Sequence, residues 1–353
     1  MSGVLVSKTE LSKDEPLSSK FHTLNCASNF CLRPQSANGF ADQRIQLGPC
    51  AALTRREPSV RSSRTNGFGH QRFSTRRTET SPDIRLSAVR RPPVATLDFG
   101  PRETVEHFTS FDGSDIAFLD EGTGRVVVLL HGFASDHRGN WVATGVIAAF
   151  VAAGRRVVAP DARGHGRSAR PHDPASYGDD AMVKDVIALF DHLGVDEVDL
   201  VGYSMGSLIS AKVATCDERV RTLVLGGVGG SWAGEQRPQN GNALADALET
   251  DDPSSIDEPI PRAFRAFADS TASDRLALAA CQRSDRGEHA ELSSIAVPTL
   301  VLTGDKDTLA GPPETVAKRI PGARFEVVHG NHLTVGKDPE FTRHLVSFVT
   351  ASR

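Results

Sequence analysis

From about residue 103 to the end of the chain, short apolar runs alternate with amphipathic segments. Two runs, 104–110 and 115–119, flank the turn Asp112-Gly113 and predict an antiparallel hairpin. Further runs are almost continuous in apolar residues, as in strands buried on both faces, at 125–130, 156–160, 198–201, 220–225 and 298–303. Helical segments lie at 140–153, 179–193, 205–215, 312–319 and 339–350. The alternation predicts an α/β fold with a mostly parallel sheet and flanking helices.

One long stretch interrupts this alternation. Between Gly229 and about Ser294 the sequence contains helical patches but no convincing strand. A connection of that length between two strands is too long for an ordinary loop. We therefore predict a small helical lid at about 229–294, over the carboxyl edge of the sheet, where open α/β sheets bind ligands.

The first hundred residues have a different texture. They lack sustained periodicity and carry 15 Lys and Arg against 8 Asp and Glu, whereas the rest of the chain carries 25 against 36. Such a stretch cannot bury enough apolar surface to offset the entropy of ordering it, so we predict a disordered basic extension at 1–102 and a folded domain at 103–353. The alternative is that translation starts later and the extension is not made. No Met lies between Met1 and Met182, so such a start would use an alternative codon near Val89 or Val94.

Composition narrows the class of protein. Hydrophobic residues make up 39% of the chain and charged residues 24%, which is typical of a globular protein with a proper core. No apolar run approaches the roughly 18 residues of a membrane-spanning helix, so we expect no membrane partner. The basic residues form no helical stripe or aromatic-interleaved patch, and we expect no nucleic-acid partner. The oligomeric state stays open.

The amino terminus and the cysteines bear on location and on metal binding. The first apolar run is too short for a secretory signal, and early acidic residues argue against a transit peptide, so a cytoplasmic location is expected. The cysteines show no metal-ligand spacing, and the two in the folded domain are interpreted as buried free thiols; they are Cys26, Cys31, Cys50, Cys216 and Cys281. We expect neither a metal nor another cofactor.

A candidate nucleophile stands at the centre of a G-x-S-x-G motif. Ser204 in this motif, at 202–206, lies between the apolar run 198–201 and a helical segment. A strand-turn-helix elbow of this kind holds the serine in strained backbone geometry, and it needs small residues two before and two after the serine. The alternative is a glycine-rich turn with a passive serine.

Four more motifs lie at or just after the ends of apolar runs that predict strands. They are LLHGF at 129–133, DARGHGRS at 161–168, LTGDKD at 302–307 and GNH at 330–332. Together with the serine motif they resemble the α/β-hydrolase superfamily, from about residue 103 to the end. The resemblance implies a serine hydrolase in which Ser204 is the nucleophile, Asp307 the acid and His332 the base, in the chain order of this fold.

The resemblance also implies supporting roles around this triad. The oxyanion hole would use the backbone N–H groups of Phe133 and Met205. Residues expected to stabilise loops and not to react are His131, Asp161 and Arg163.

Two members of the implied triad have a rival in the sequence. Asp305 competes with Asp307 for the acid, although it directly follows the Gly that ends a strand and could instead bind backbone donors of the turn. His329 competes with His332 for the base, but it ends the apolar run 325–328, where a packed histidine is the simpler interpretation.

Departures from relatives refine the implied function. The loop after the third strand lacks the extra glycines of the HGGG-type lipases and esterases, and the nucleophile is Ser instead of the Asp of haloalkane dehalogenases and epoxide hydrolases. The implied function is hydrolysis of a carboxylic ester-type bond in a small-molecule substrate. C–C bond hydrolysis, lactonase, amidase and cofactor-free haloperoxidase or perhydrolase activities remain alternatives, as does a non-catalytic ligand-binding protein on the same fold.

Overall fold

The computed structural model describes residues 104–233, 241–285 and 290–352. The strands within these ranges are β1 Val105–Thr109, β2 Asp115–Gly122, β3 Arg125–Leu130, β4 Arg155–Pro160, β5 Val198–Tyr203, β6 Val220–Gly226, β7 Thr299–Gly304 and β8 Arg324–Val328. The predicted basic extension at 1–102 lies outside the described residues.

Helices connect most of these strands. The α-helices are α1 Val146–Ala152, α2 Ala181–Leu193, α3 Met205–Cys216, α4 Gly230–Ala233, α5 Gly241–Glu249, α6 Pro259–Ser270, α7 Arg275–Arg283, α8 Glu314–Ala317 and α9 Pro339–Ala351. A π-helical turn spans Arg138–Val142, and short 3-10 turns span Pro174–Tyr177, Pro253–Ser255, Leu292–Ser294 and Val335–Lys337. Among the described residues, every helix is too short or too polar to span a bilayer.

All the strands join one sheet, in the order β1-β2-β4-β3-β5-β6-β7-β8. The pairs β1–β2 and β2–β4 are antiparallel, and the remaining neighbours are parallel. The predicted fold class, a mostly parallel α/β sheet with flanking helices, is confirmed. Because β3, β5, β6, β7 and β8 run in the same direction, the loops after them emerge at one edge of the sheet.

Apolar side chains cover both faces of the central strands. All six residues of β5 are buried, with Leu200 packing in the same cluster as Leu189 of α2. Val201 points to the opposite face, in a cluster with Phe150 of α1 and Leu345 of α9. Burying a side chain of this size stabilises the fold by roughly 1.5–3 kcal/mol, so the strand before Ser204 is firmly held.

Three local predictions are wrong. The single helix predicted at 140–153 is broken, because Gly145 has a φ of 78° and α1 begins only after it. The helix predicted at 312–319 is reduced to the four residues of α8. Cys216, interpreted as a buried thiol, is exposed at the end of α3, whereas Cys281 is buried as expected.

Between β6 and β7, the described residues form helices joined by loops. The α-helices of this stretch are α4, α5, α6 and α7, and no strand occurs among its described residues. Helix α5 packs against both α6 and α7. Phe264 of α6 contacts Phe133 in the loop after β3, with ring centroids 5.8 Å apart. Helix α6 therefore contacts the loop after β3, and the role of this stretch as a lid stays a prediction.

Candidate active site

Ser204 occupies a strained turn between β5 and α3. Its φ of 51° and ψ of −112° lie outside the regions that residues with a side chain ordinarily adopt. The Ser204 N–H donates to the Gly226 carbonyl at 2.8 Å, and the Ser207 hydroxyl donates to the same oxygen at 2.8 Å. Both bonds hold the turn against the end of β6 and keep the serine at the surface of the elbow.

Close approach of two backbones explains the glycines on either side of Ser204. A Cβ on Gly202 would lie 2.4 Å from the Gly206 carbonyl oxygen, and a Cβ on Gly206 would lie 2.0 Å from the Leu130 carbonyl oxygen. Neither position has room for a methyl group unless β3, β5 and α3 move apart. The requirement for small residues at this elbow thus follows from the packing of α3 on two strands.

Gly206→Ala is expected to lower the free energy of unfolding by about 3 kcal/mol or more, because the new methyl group meets backbone. Thermal and urea unfolding followed by circular dichroism would measure the loss. Gly178→Ala is the matched control, since its φ is −74° and its nearest neighbour would be 3.4 Å from the added Cβ. Equal stability of the two variants would contradict the close approach at the elbow.

The predicted nucleophile, base and acid lie in one hydrogen-bonded chain. His332 Nε2 is 2.9 Å from Ser204 Oγ, and His332 Nδ1 is 2.8 Å from Asp307 Oδ2. The Asp307 carboxylate is fully buried and also accepts the Ala310 N–H at 2.9 Å. An ionised carboxylate can only accept, so Nδ1 carries the proton and Nε2 is left to accept the serine hydroxyl. The arrangement can therefore move a proton from Ser204 to His332.

The two rival residues lie together in a neighbouring turn. Asp305 accepts the Gly330 N–H at 2.9 Å and lies 3.2 Å from His329 Nδ1. The Gly330 N–H holds the pKa of Asp305 below its usual range. The interpretation of His329 as a packed residue is wrong, because its side chain is 67% exposed. The structure does not bring either residue to Ser204.

The loop that carries Phe133 adjoins the nucleophile. A Cβ on Gly132 would lie 3.5 Å from the Cβ of Ser204. Phe133 and Met205 are both buried. The participation of their N–H groups in an oxyanion hole stays a prediction.

His131 fixes the shape of this loop. Its Nε2 accepts the Ala162 N–H at 2.9 Å, so Nδ1 is the protonated nitrogen, and it donates to the Gly132 carbonyl at 2.8 Å. Burial lowers the pKa of His131, which keeps the ring neutral. The side chain thus ties the loop after β3 to the loop after β4.

Asp161 and Arg163 make structural contacts. Asp161 accepts backbone N–H groups from His137 and Arg167 at 2.9 and 2.8 Å. Burial by itself would raise the pKa of Asp161, but hydrogen bonds from His137 prevail and hold it at about 2. Arg163 binds both oxygens of Asp185 at 2.9 and 2.8 Å. These contacts stabilise the loops, in line with the expectation for both residues.

Two residues near the site carried no signal in the sequence. The Tyr203 hydroxyl donates to the His332 carbonyl at 2.6 Å, and the two rings lie 5.4 Å apart. Burial raises the pKa of Tyr203 well above its ordinary value, so the hydroxyl keeps its proton. The second is Phe264, which contacts Phe133. Position 203 is the first x of G-x-S-x-G, where the motif specifies no residue type. The hydrogen bond from Tyr203 to His332 becomes apparent only in the folded structure.

Among the described residues, no group of three or more His, Cys, Asp or Glu side chains is arranged to hold a metal ion.

Comparisons with known proteins decide the family. A sequence model of the α/β hydrolase fold matches residues 125–254, which include Ser204. The structure also superposes on an esterase from Exiguobacterium antarcticum with a TM-score of 0.58 and 26% identity, over 69% of this chain and 98% of that one. The chain belongs to the α/β-hydrolase superfamily. The resemblance drawn from the sequence motifs is thereby confirmed.

Curated relatives of this α/β-hydrolase are named for different substrates. It is 36% identical to epoxide hydrolase 2 of Siraitia grosvenorii over 110 residues, which are 31% of this chain and 34% of that protein. It is 38% identical to 2-hydroxymuconate semialdehyde hydrolase of Pseudomonas sp. strain CF600 over 112 residues, which are 31% of this chain and 39% of that protein. The chain thus spans less than half the length of these relatives.

Proposed function

We propose that this α/β-hydrolase is a serine hydrolase that cleaves a carboxylic ester-type bond through an acyl-enzyme. The observation that carries the proposal is the unbroken hydrogen-bonded chain from Ser204 through His332 to Asp307. A serine hydroxyl attacks a carbonyl only when a base removes its proton, and His332 Nε2 is within hydrogen-bonding distance of that hydroxyl.

The proposed reaction has two halves. Ser204 Oγ attacks the substrate carbonyl while its proton passes to His332, and the buried Asp307 stabilises the resulting imidazolium. The N–H groups of Met205 and Phe133 stabilise the oxyanion of the tetrahedral intermediate. His332 then returns the proton to the leaving alcohol, and a water molecule activated by the same ring releases the acid from Ser204.

The nucleophile narrows the bond type. A serine forms its intermediate at a carbonyl carbon, which favours esters over epoxides in spite of the similarity to an epoxide hydrolase. The likeness to an esterase over 98% of that chain supports an ester substrate. C–C bond hydrolysis is the second candidate, favoured by the 38% identity to 2-hydroxymuconate semialdehyde hydrolase. We also propose that the substrate is a small molecule bound beneath a lid at about 229–294, within a folded domain at 103–353. We further propose that the protein is cytoplasmic.

A fluorophosphonate probe tests the proposed function. We expect the full-length protein to be labelled, with the modified peptide located by mass spectrometry at Ser204. If the folded protein is not labelled, the proposed enzymatic activity is contradicted and a ligand-binding role is favoured. A panel of p-nitrophenyl esters of rising chain length, lactones, amides and a vinylogous diketone then separates the bond classes. If the protein is labelled but turns over only the diketone, C–C bond hydrolysis replaces the ester proposal.

A further inference from the structure

An apolar surface lies exposed at one edge of the sheet. Among the described residues β8 pairs only with β7, so its outer side is a free edge. Phe325 and Val327 of this strand are 47% and 49% exposed. Edge strands with unpaired backbone groups and apolar side chains are templates for pairing with another strand.

The neighbouring helices explain why this surface is uncovered. The Arg324 guanidinium lies over the Phe348 ring of α9, 5.1 Å from its centroid. Side chains alternate along a strand, so Glu326 shares the α9 face while Phe325 and Val327 point to the opposite one. On that opposite face the covering helix is α8, which has only four residues. A helix this short leaves the outer part of β8 bare.

The backbone groups of the same two residues also point outward. The Val328 carbonyl accepts the Asp305 N–H at 2.8 Å, which places it on the side of β7. Successive residues of a strand direct their N–H and C=O groups to opposite sides, so those of Val327 and Phe325 point away from β7. Hydrogen-bonding groups and apolar side chains are thus presented together at this edge.

We propose that two copies of this chain form a dimer by antiparallel pairing of their β8 strands about a two-fold axis at Phe325. In this register Arg324 lies opposite the partner's Glu326, and Glu326 lies opposite the partner's Arg324. Opposite charges at directly facing positions stabilise a strand pair. Phe325 meets its own copy, as a symmetric interface requires. The N–H of Val327 faces the carbonyl of the partner's Ala323.

Charge selects this register over its neighbour. An axis at Glu326 would place that carboxylate directly opposite its own copy, and like charges at facing positions destabilise a strand pair. The axis at Phe325 avoids this repulsion and replaces it with two Arg–Glu pairs. A second copy of the chain therefore matches this edge in its outward backbone hydrogen-bonding groups, its apolar side chains and its charges.

Sedimentation velocity of the full-length protein at increasing concentration tests the dimer. We expect a monomer–dimer equilibrium, and we expect Val327→Lys to leave only monomer. Arg324→Glu or Glu326→Arg alone should raise the dissociation constant by about tenfold or more, because each sets like charges opposite one another. The charge-swapped double variant should return to within about threefold of the wild type.

Controls separate this result from misfolding and from other interfaces. Glu106→Arg changes an exposed charge in β1, at the opposite edge of the sheet, and should leave the dimer unchanged. Thermal unfolding of every variant is measured to verify that its fold is intact. A wild type that stays monomeric to about 100 µM would overturn the proposal. So would a dimer that survives Val327→Lys, including one held by residues 1–103, or a double variant that fails to recover. None of these outcomes bears on the hydrolase proposal.

Discussion

Ser204→Ala is expected to lower kcat on the best p-nitrophenyl ester by a factor on the order of 10⁶, with little change in KM. Removal of the hydroxyl leaves His332 and Asp307 without a nucleophile to activate. Adding His332→Ala to this variant should cost nothing further, since the two residues act as one unit in the same step. Such a lack of additivity would not arise if His332 only supported the fold.

The measurement is steady-state kinetics of the single and double variants, with active protein counted by fluorophosphonate titration of the wild type. Ser210→Ala is the matched control, because Ser210 lies on α3 and its buried hydroxyl has no hydrogen-bond partner among the described residues. It should retain wild-type kcat. Ser204→Ala with more than about 1% of the wild-type kcat would exclude Ser204 as the nucleophile.

Asp307→Asn is expected to lower kcat by about 10⁴, whereas Asp305→Asn should lower it by less than about tenfold. The amide of an Asn at 307 can donate to His332 Nδ1, which moves the ring proton to Nε2 and blocks acceptance of the Ser204 proton. Its oxygen can still accept the Ala310 N–H, so the loop keeps its anchor. Asp305 instead binds the Gly330 N–H of the adjacent turn.

The pair of variants is informative because the two carboxylates are two residues apart and have the same chemistry. Both should be compared at several pH values, with circular dichroism to verify the fold. If Asp305→Asn lost more activity than Asp307→Asn, the acid would have to be reassigned, and the distance of 2.8 Å between Asp307 and His332 would have no catalytic meaning.

Much of the fold was predictable because its strands are buried on both faces. The run 125–130, for example, is apolar at five of its six positions, and a helix of ordinary amphipathicity does not produce that pattern. The break in the helix predicted at 140–153 was not predictable, since Gly145 can also occupy a helix interior at a cost of about 1 kcal/mol. Exposure of His329 follows from the edge position of β8, which is a property of strand order.

The sequence indicated a set of candidate site residues but not their geometry. Motif order indicated Ser204, Asp307 and His332, and the structure brings His332 within hydrogen-bonding distance of the other two. The hydroxyl of Tyr203 on the His332 carbonyl joins residues 129 positions apart, and no local pattern encodes such a contact. Phe264 was hidden in the same way, because its partner Phe133 precedes it by more than a hundred residues.

Ser204, Asp307 and His332 follow β5, β7 and β8, whereas the long helical stretch leaves the sheet after β6 and returns at β7. Under the proposed function, substrate choice and bond cleavage would reside in separate stretches of the chain. A change in the length or composition of α4 to α7 would then alter what enters the site without shifting the strands that precede the three residues. With such a division, substrate specificity could be changed separately from the proposed chemistry.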